Sequence, residues 1–114
     1  MTLTIASREV EGVDILDLSG RITLGEGSVQ LRHAFRELIG KGSKKILLNL
    51  GDVYLIDSSG LGEIVNAFTT ARSQGAGLKL LNLSRKIHEL LELTKLHTIF
   101  DICDDEASAI ASFK

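Results

Sequence analysis

Residues 44–62 read KKILLNLGDVYLIDSSGLG, a stretch that joins an apolar run to a polar, glycine-containing segment. After the two lysines comes a short apolar run, which is typical of a strand buried on both faces of a parallel sheet. Polar residues and two glycines follow at positions 57–62, and beyond them apolar side chains recur at helical spacing. The sequence therefore predicts a buried strand over Ile46 to Leu50, a connection through residues 51–57, and then an amphipathic helix. The apolar face of that helix comprises Leu61, Ile64, Val65 and Phe68.

The part of the chain before this stretch predicts a hairpin and a helix. Residues 2–10 and 13–19 are rich in β-branched and aliphatic residues, and only Glu11-Gly12 separates them. A two-residue connection of this kind favours a tight antiparallel hairpin. After Gly20 the period changes, and apolar residues recur at intervals of three and four before Gly40 and Gly42, which favour a helix end. The apolar residues of this helix are Leu31, Ala34, Phe35, Leu38 and Ile39.

The part after the stretch predicts two further strands, each followed by a helix. Leu78 to Leu83 is a strand candidate, and Ser84 is a good N-cap for the helix after it. Ile99 to Ile102 is a short strand candidate, and acidic residues at 104–106 suit the positive end of a last helix. The order ββαβαβαβα predicts an α/β fold: a mixed, mostly parallel sheet with an N-terminal β-hairpin and about four helices.

Length and composition predict one globular domain. The 114 residues include 44% hydrophobic and 25% charged side chains, which is average for a soluble globular protein. At this length a folded chain buries about two thirds of the surface that its unfolded form exposes. We therefore expect residues 1–114 to form a single domain with an ordinary core.

Charge and cysteine content narrow the function classes. Thirteen basic residues against fifteen acidic ones give a net charge of −2, which argues against direct binding to nucleic acid or an anionic membrane. Cys103 is the single cysteine, so no internal disulfide forms. The N-terminus lacks the pattern of a signal peptide, and no apolar run approaches the ~20 residues that span a bilayer. We expect a cytoplasmic protein that binds proteins or small molecules.

Three successive residues at positions 57–59 are of types that cap helices. Asp57, Ser58 and Ser59 precede the predicted helix, although one cap is enough for a helix. The plainest explanation is that the three share the capping and solvate the turn. The two glycines favour another explanation, since each weakens a helix by roughly 1 kcal/mol relative to alanine. We interpret Gly60 and Gly62 as keeping the surface beside the serines bare, so that another protein approaches the hydroxyls closely.

The same residues resemble a known family signature. The run Asp57-Ser58-Ser59-Gly60-Leu61-Gly62, placed after a strand ending Asn49-Leu50 and a linker over residues 52–56, closely resembles the signature of the STAS domain. Within that family the sequence is most similar to bacterial anti-sigma factor antagonists. The resemblance covers essentially the whole chain, including the opening hairpin and the order of the elements.

The resemblance implies a phosphorylation switch. In that group the first serine of the motif is phosphorylated by a partner that is both a serine kinase and an anti-sigma factor, which makes Ser58 the expected acceptor here. The unphosphorylated form binds the anti-sigma factor and releases sigma factor, the phosphorylated form does not bind, and a separate serine phosphatase resets the switch. We expect no enzymatic activity of the chain itself, no cofactor and no metal. The expected partner-binding residues are Asp57, Ser59, Gly60, Leu61, Gly62, Glu63 and Asn66.

One departure from the family pattern lies in the loop after the second predicted strand. Many members carry an acidic residue there, near the kinase interface, whereas this chain has Thr23 at that position. Glu26, three residues later, is a candidate to supply the charge from a different place. The departure leaves the identity of the kinase and of the sigma factor open.

Other functions fit the sequence less well. A hydrolase triad could be assembled from Ser58, Asp57 and one of His33, His88 and His97. The sequence disfavours it, because neither serine of the motif lies in a G-x-S-x-G elbow. The histidines and Cys103 match no common zinc spacing, and the glycines of residues 20–27 lack the rest of a phosphate-binding loop. The main alternative is a STAS-like scaffold, in a signalling or transporter-associated complex, in which Ser58 only caps the helix.

Overall fold

The computed structural model describes residues 3–114, and over that range it contains a five-stranded sheet. The elements are β1 Leu3–Val10, β2 Val13–Ile22, α1 Glu26–Gly40, β3 Lys45–Ile56, α2 Ser58–Ser73, β4 Gly77–Leu81, α3 Arg85–Leu93, a short 3₁₀ helix Leu96–Thr98, β5 Asp101–Cys103 and α4 Glu106–Ser112. The strands lie in the order β1-β2-β3-β4-β5, and only the β1–β2 pair is antiparallel in this part of the chain. The predicted fold class and order of elements are confirmed.

The hairpin forms where the sequence places it. Val10 pairs with Val13, and Glu11 and Gly12 have φ angles of 50° and 83°. Positive φ at both central residues is the geometry of a two-residue turn that matches the twist of antiparallel strands. β2 continues to Ile22, beyond the predicted end at Ser19. The predicted start of β1 at Thr2 falls outside the described residues.

β3 is much longer than predicted, and this corrects the expectation of a connection over residues 51–57. The strand continues past Leu50 to Ile56 and pairs with β2 as far as Ile22. Its register to β2 shifts twice, between Asp17 and Ser19 and between Gly20 and Arg21. Such irregularities let a strand carry extra residues and bend while pairing continues. The polar interruption at residues 51–52 is therefore accommodated inside the strand.

The core lies on both faces of the sheet. Helices α1, α2 and α3 cover one face, and their buried side chains pack with those of β2, β3 and β4. Helix α4 covers part of the other face, where Val13, Ile15, Leu47 and Leu81 pack against Ala109 and Ile110. Because β3 is a parallel strand that is covered on both faces, its apolar run is continuous.

Phe68 is less buried than its place in the predicted apolar face suggests. Its ring is half-buried and packs edge to face on the buried ring of Phe100, with ring centroids 5.3 Å apart. Aromatic pairs prefer this arrangement because the positive edge of one ring meets the negative face of the other. Phe68 thus joins α2 to the segment before β5 instead of filling the centre of the core.

Candidate functional site

The turn between β3 and α2 carries the predicted motif, and Asp57 caps the helix. Asp57 has an extended backbone, and its Oδ1 atom accepts a hydrogen bond of 2.9 Å from the amide of Gly60. Ser58 is the first residue of α2 and is exposed, whereas Ser59 is half-buried. Because the carboxylate of Asp57 caps the N-terminus of α2, the Ser58 hydroxyl is not needed for capping.

The second carboxylate oxygen of Asp57 binds a different part of the chain. Oδ2 accepts a hydrogen bond of 2.9 Å from the amide of Leu24, in the loop between β2 and α1. The amide of Asp57 in turn donates to the carbonyl of Ile22 at 3.3 Å. The amide of Gly60, and next that of Leu24, hold the pKa of the Asp57 carboxyl below its ordinary value. Asp57 is therefore charged at neutral pH and fixes the serine turn to the neighbouring loop.

Gly60 has a packing role that differs from the one expected. It is buried, and a Cβ atom built on it lies 2.8 Å from the carbonyl carbon of Ile22 and still closer to the oxygen. No side chain fits there without moving β2 or α2. Gly27 of α1 makes a similar approach, since its Cβ would lie 2.8 Å from the carbonyl oxygen of Arg21. The two helices thus begin tightly against the last carbonyl groups of β2.

Gly62 does match the expectation of a bare surface. It is exposed, and a Cβ atom added to it meets nothing within 4 Å. Ser58, Gly62 and Asn66 are all exposed and are spaced four residues apart. Residues at this spacing lie on one side of a helix. They form a solvent-facing stripe that starts at the Ser58 hydroxyl.

Two other expected contact residues are engaged inside the protein. Leu61 belongs to the core, with 9% of its surface exposed. Glu63 forms an ion pair with Arg32 of α1, with Arg32 Nε donating to Glu63 Oε1 at 3.0 Å. Because only 13% of the Glu63 side chain is exposed, this pair acts mainly between α1 and α2. Leu61 and Glu63 therefore hold α2 in place.

The structure adds exposed apolar side chains beside the motif that the sequence analysis did not single out. Leu24 is 80% exposed, and Tyr54, Leu55 and Leu93 are also exposed. The last three line a groove between the end of β3 and α3. The available signal was the unbroken run of four apolar residues at 53–56. In the structure Val53 and Ile56 are buried, and the two residues between them are not. That burial pattern breaks the alternation of a regular strand.

The histidines considered for catalysis or metal binding are spread over three elements. His33 lies on α1, His88 on α3 and His97 in the 3₁₀ helix, and all three are exposed. Within residues 3–114, no three His, Cys, Asp or Glu side chains are grouped so that they could hold a metal ion. Over the same residues, no helix has both the length and the hydropathy that a membrane crossing requires.

Comparisons with known proteins agree with this architecture. The STAS domain family model matches residues 4–109. The anti-sigma-B factor antagonist of Bacillus subtilis is 32% identical over 102 residues, covering 90% of this chain and 92% of the relative. An anti-sigma factor antagonist structure from Mycobacterium paratuberculosis superposes with a TM-score of 0.84 at 16% identity, covering 97% of this chain and 93% of the other.

A third comparison is the structure of the Bacillus cell fate determinant SpoIIAA in the phosphorylated form. It superposes with a TM-score of 0.76 at 18% identity, over 97% of this chain and 100% of the other. At that identity the likeness concerns the fold. The family match over nearly the whole chain and the identity to the B. subtilis relative go further, and on them the chain belongs to the STAS domain family, among the relatives of bacterial anti-sigma factor antagonists.

Proposed function

We propose that this protein is an anti-sigma factor antagonist switched by phosphorylation of Ser58. In its unphosphorylated form it binds a partner that is both an anti-sigma factor and a serine kinase, and so frees sigma factor to direct transcription in the cytoplasm. The partner phosphorylates Ser58 and is released, and a serine phosphatase restores the binding form. The chain itself acts as substrate and ligand, with no turnover and no cofactor of its own.

The observation that carries this proposal is that Asp57 caps the helix and Ser58 stays exposed. Asp57 caps α2 and ties it to the loop after β2, while Ser58 is exposed at the first helical position. A kinase needs an accessible hydroxyl on a surface that keeps its shape when modified. Ser58 meets both requirements, since its hydroxyl is free of the capping role.

The local electrostatics suit a phosphate at this position. A phosphoserine carries about −1.5 to −2 charges, and the free amides and dipole of a helix N-terminus stabilise such a charge. A partner surface that receives a neutral hydroxyl then meets a dianion beside the charged Asp57. At ~6 Å and an effective dielectric constant near 20, each pair of like unit charges costs about 3 kcal/mol. One such pair on the partner's side weakens binding by roughly a hundredfold.

The relatives support the proposed function. The B. subtilis protein bears the name of an antagonist of an anti-sigma factor, and SpoIIAA, which has this fold, is described in both phosphorylated and unphosphorylated forms. The fold is thus compatible with phosphorylation without loss of its architecture.

We place the contact surface on the exposed stripe of α2. Ser58, Gly62 and Asn66 lie on it, with Ser59 and Asp57 at its rim. Gly60, Leu61 and Glu63 support this surface from within, through packing against β2, burial in the core and the ion pair to Arg32. A bulky residue at Gly62 is expected to block the partner while leaving Ser58 free.

The experiment that tests the proposal is phosphate transfer to a defined residue. The purified protein is incubated with Mg²⁺, ATP and each anti-sigma serine kinase encoded in the same genome, and the modified residue is identified by mass spectrometry. We expect phosphate on Ser58, no incorporation in Ser58→Ala, and retained incorporation in the matched control Ser59→Ala. If no kinase modifies Ser58, and Ser58→Ala leaves regulation in cells unchanged, the scaffold function replaces the switch.

A further inference from the structure

We propose that Leu24 is an apolar anchor for the partner, and that the partner receives it in an apolar recess next to the site that receives Ser58. The inference rests on the proposed function and names a specificity-determining residue for it. Leu24 lies in the loop between β2 and α1 and belongs to no helix or strand.

The exposure of Leu24 sets it apart from most other apolar residues. It is 80% exposed, whereas the neighbouring Ile22 is completely buried. Val29, in the first turn of α1, is 39% exposed, and its amide donates to the carbonyl of Gly25. Both side chains are exposed near the start of α1, and two charged residues close to them in the sequence, Arg21 and Glu26, are exposed as well. An apolar centre with a polar rim is the usual composition of a protein-binding surface.

The loop that carries Leu24 is held rigid from both sides. The Leu24 amide donates to Asp57 Oδ2 at 2.9 Å. The carbonyl of Thr23 accepts hydrogen bonds from the amide of Ser28 at 3.1 Å and from its hydroxyl at 2.9 Å. Gly25 takes a φ of 95°, a conformation that most residues avoid. Because the backbone is already fixed, binding through Leu24 loses little conformational entropy.

The hydrogen bond to Asp57 also fixes the position of Leu24 relative to Ser58. It places the backbone of Leu24 against the residue that immediately precedes Ser58. A specific interface covers about 800 Å² on each partner, equivalent to a disc of about 16 Å radius. A partner centred on Ser58 therefore covers Leu24 as well. If the partner had no apolar groups to contact Leu24, the complex would be weaker.

The test compares Leu24→Ala and Leu24→Met with the matched control Ile99→Ala. Ile99 is 43% exposed and precedes β5. It therefore lies near the end of the sheet where the parallel strands begin, whereas Ser58 follows the carboxyl end of β3. Each variant is titrated against the purified anti-sigma serine kinases encoded in the same genome, and its thermal unfolding is recorded. We expect Leu24→Ala to lose about tenfold or more in affinity, and Leu24→Met and Ile99→Ala to stay within about threefold of the unmodified protein.

The possible results separate this inference from the proposed function. If the unmodified protein binds a kinase and Leu24→Ala binds it equally well, the anchor is wrong and the switch stands. If Ile99→Ala loses as much affinity as Leu24→Ala, the loss is not specific to the loop and the anchor is again wrong. If the unmodified protein binds none of the kinases, both proposals fail together. Equal unfolding temperatures of the three variants exclude misfolding as the cause of a loss.

Discussion

The Oδ2 atom of Asp57 accepts a hydrogen bond of 2.9 Å from the backbone amide of Leu24, thirty-three residues earlier in the chain. The other oxygen of the same carboxylate caps α2 through Gly60. One side chain therefore sets the position of both the serine turn and the adjacent loop. The two parts of the proposed partner surface are therefore joined through this one carboxylate.

Replacement of Asp57 tests this double role. Asp57→Asn keeps a side-chain oxygen that caps the helix but loses the charge and one acceptor, and Asp57→Ala loses both hydrogen bonds. We expect the free energy of unfolding to fall in the order unmodified, Asn, Ala, measured by urea denaturation. Hydrogen exchange at the Leu24 amide is expected to accelerate in both variants. Unchanged exchange at Leu24 would show that the loop is held by other contacts.

The depressed pKa of Asp57 predicts how its contribution varies with pH. A carboxyl whose folded-state pKa lies below its unfolded value of about 3.9 stabilises the protein above that value. The contribution is lost as the pH falls through the folded-state pKa. The stability difference between the unmodified protein and Asp57→Asn is therefore expected to be constant near neutral pH and to shrink below about pH 4. A difference that grows on acidification would contradict the assignment.

Gly60 and Gly62 are expected to respond to alanine with opposite signs. At Gly60 a Cβ atom collides with the backbone of Ile22, so Gly60→Ala is expected to cost about 3 kcal/mol or more. At Gly62 the added methyl group meets open space, so Gly62→Ala is expected to stabilise the protein by up to about 1 kcal/mol. Denaturant titration of the two variants checks both signs. A mild effect at Gly60 would mean that α2 moves easily relative to β2.

The aromatic pair offers a test of packing. Phe100 is 5% exposed, and Phe100→Ala is expected to cost about 3 to 5 kcal/mol. Phe68 is half-buried, so Phe68→Ala is expected to cost less, about 2 kcal/mol. The double variant should cost less than the sum of the two, because the rings contact each other. Additive losses would show that the edge-to-face contact contributes nothing of its own.

Local patterns in the sequence were enough to predict most of the fold. The Glu11-Gly12 turn, the N-cap Ser84 and the apolar spacing of α1 are each encoded within a few residues, and the structure has them where expected. The end of β3 was missed because its last residues, up to Ile56, are held by pairing with the distant end of β2. A break at Gly51-Asp52 looks like a turn when that partner strand is not considered.

The motif itself was only partly predictable for the same reason. A helix cap among residues 57–59 and an open surface at Gly62 follow from the local sequence, and the structure assigns the cap to Asp57. The contact of Gly60 with Ile22, the bond from Leu24 to Asp57 and the Arg32–Glu63 ion pair join segments far apart in the chain. Periodicity and spacing carry no information about such contacts, which therefore appear only in the folded structure.

The affinity of the anti-sigma partner for the protein with and without phosphate on Ser58 tests the phosphorylation switch directly. Isothermal titration of the purified kinase is carried out with the unmodified protein, Ser58→Ala, Ser58→Asp and the Ser58-phosphorylated form. We expect Ser58→Ala to bind like the unmodified protein, Ser58→Asp more weakly, and the phosphorylated form weakest, by roughly a hundredfold. Equal affinity for the phosphorylated and unmodified proteins would contradict the switch.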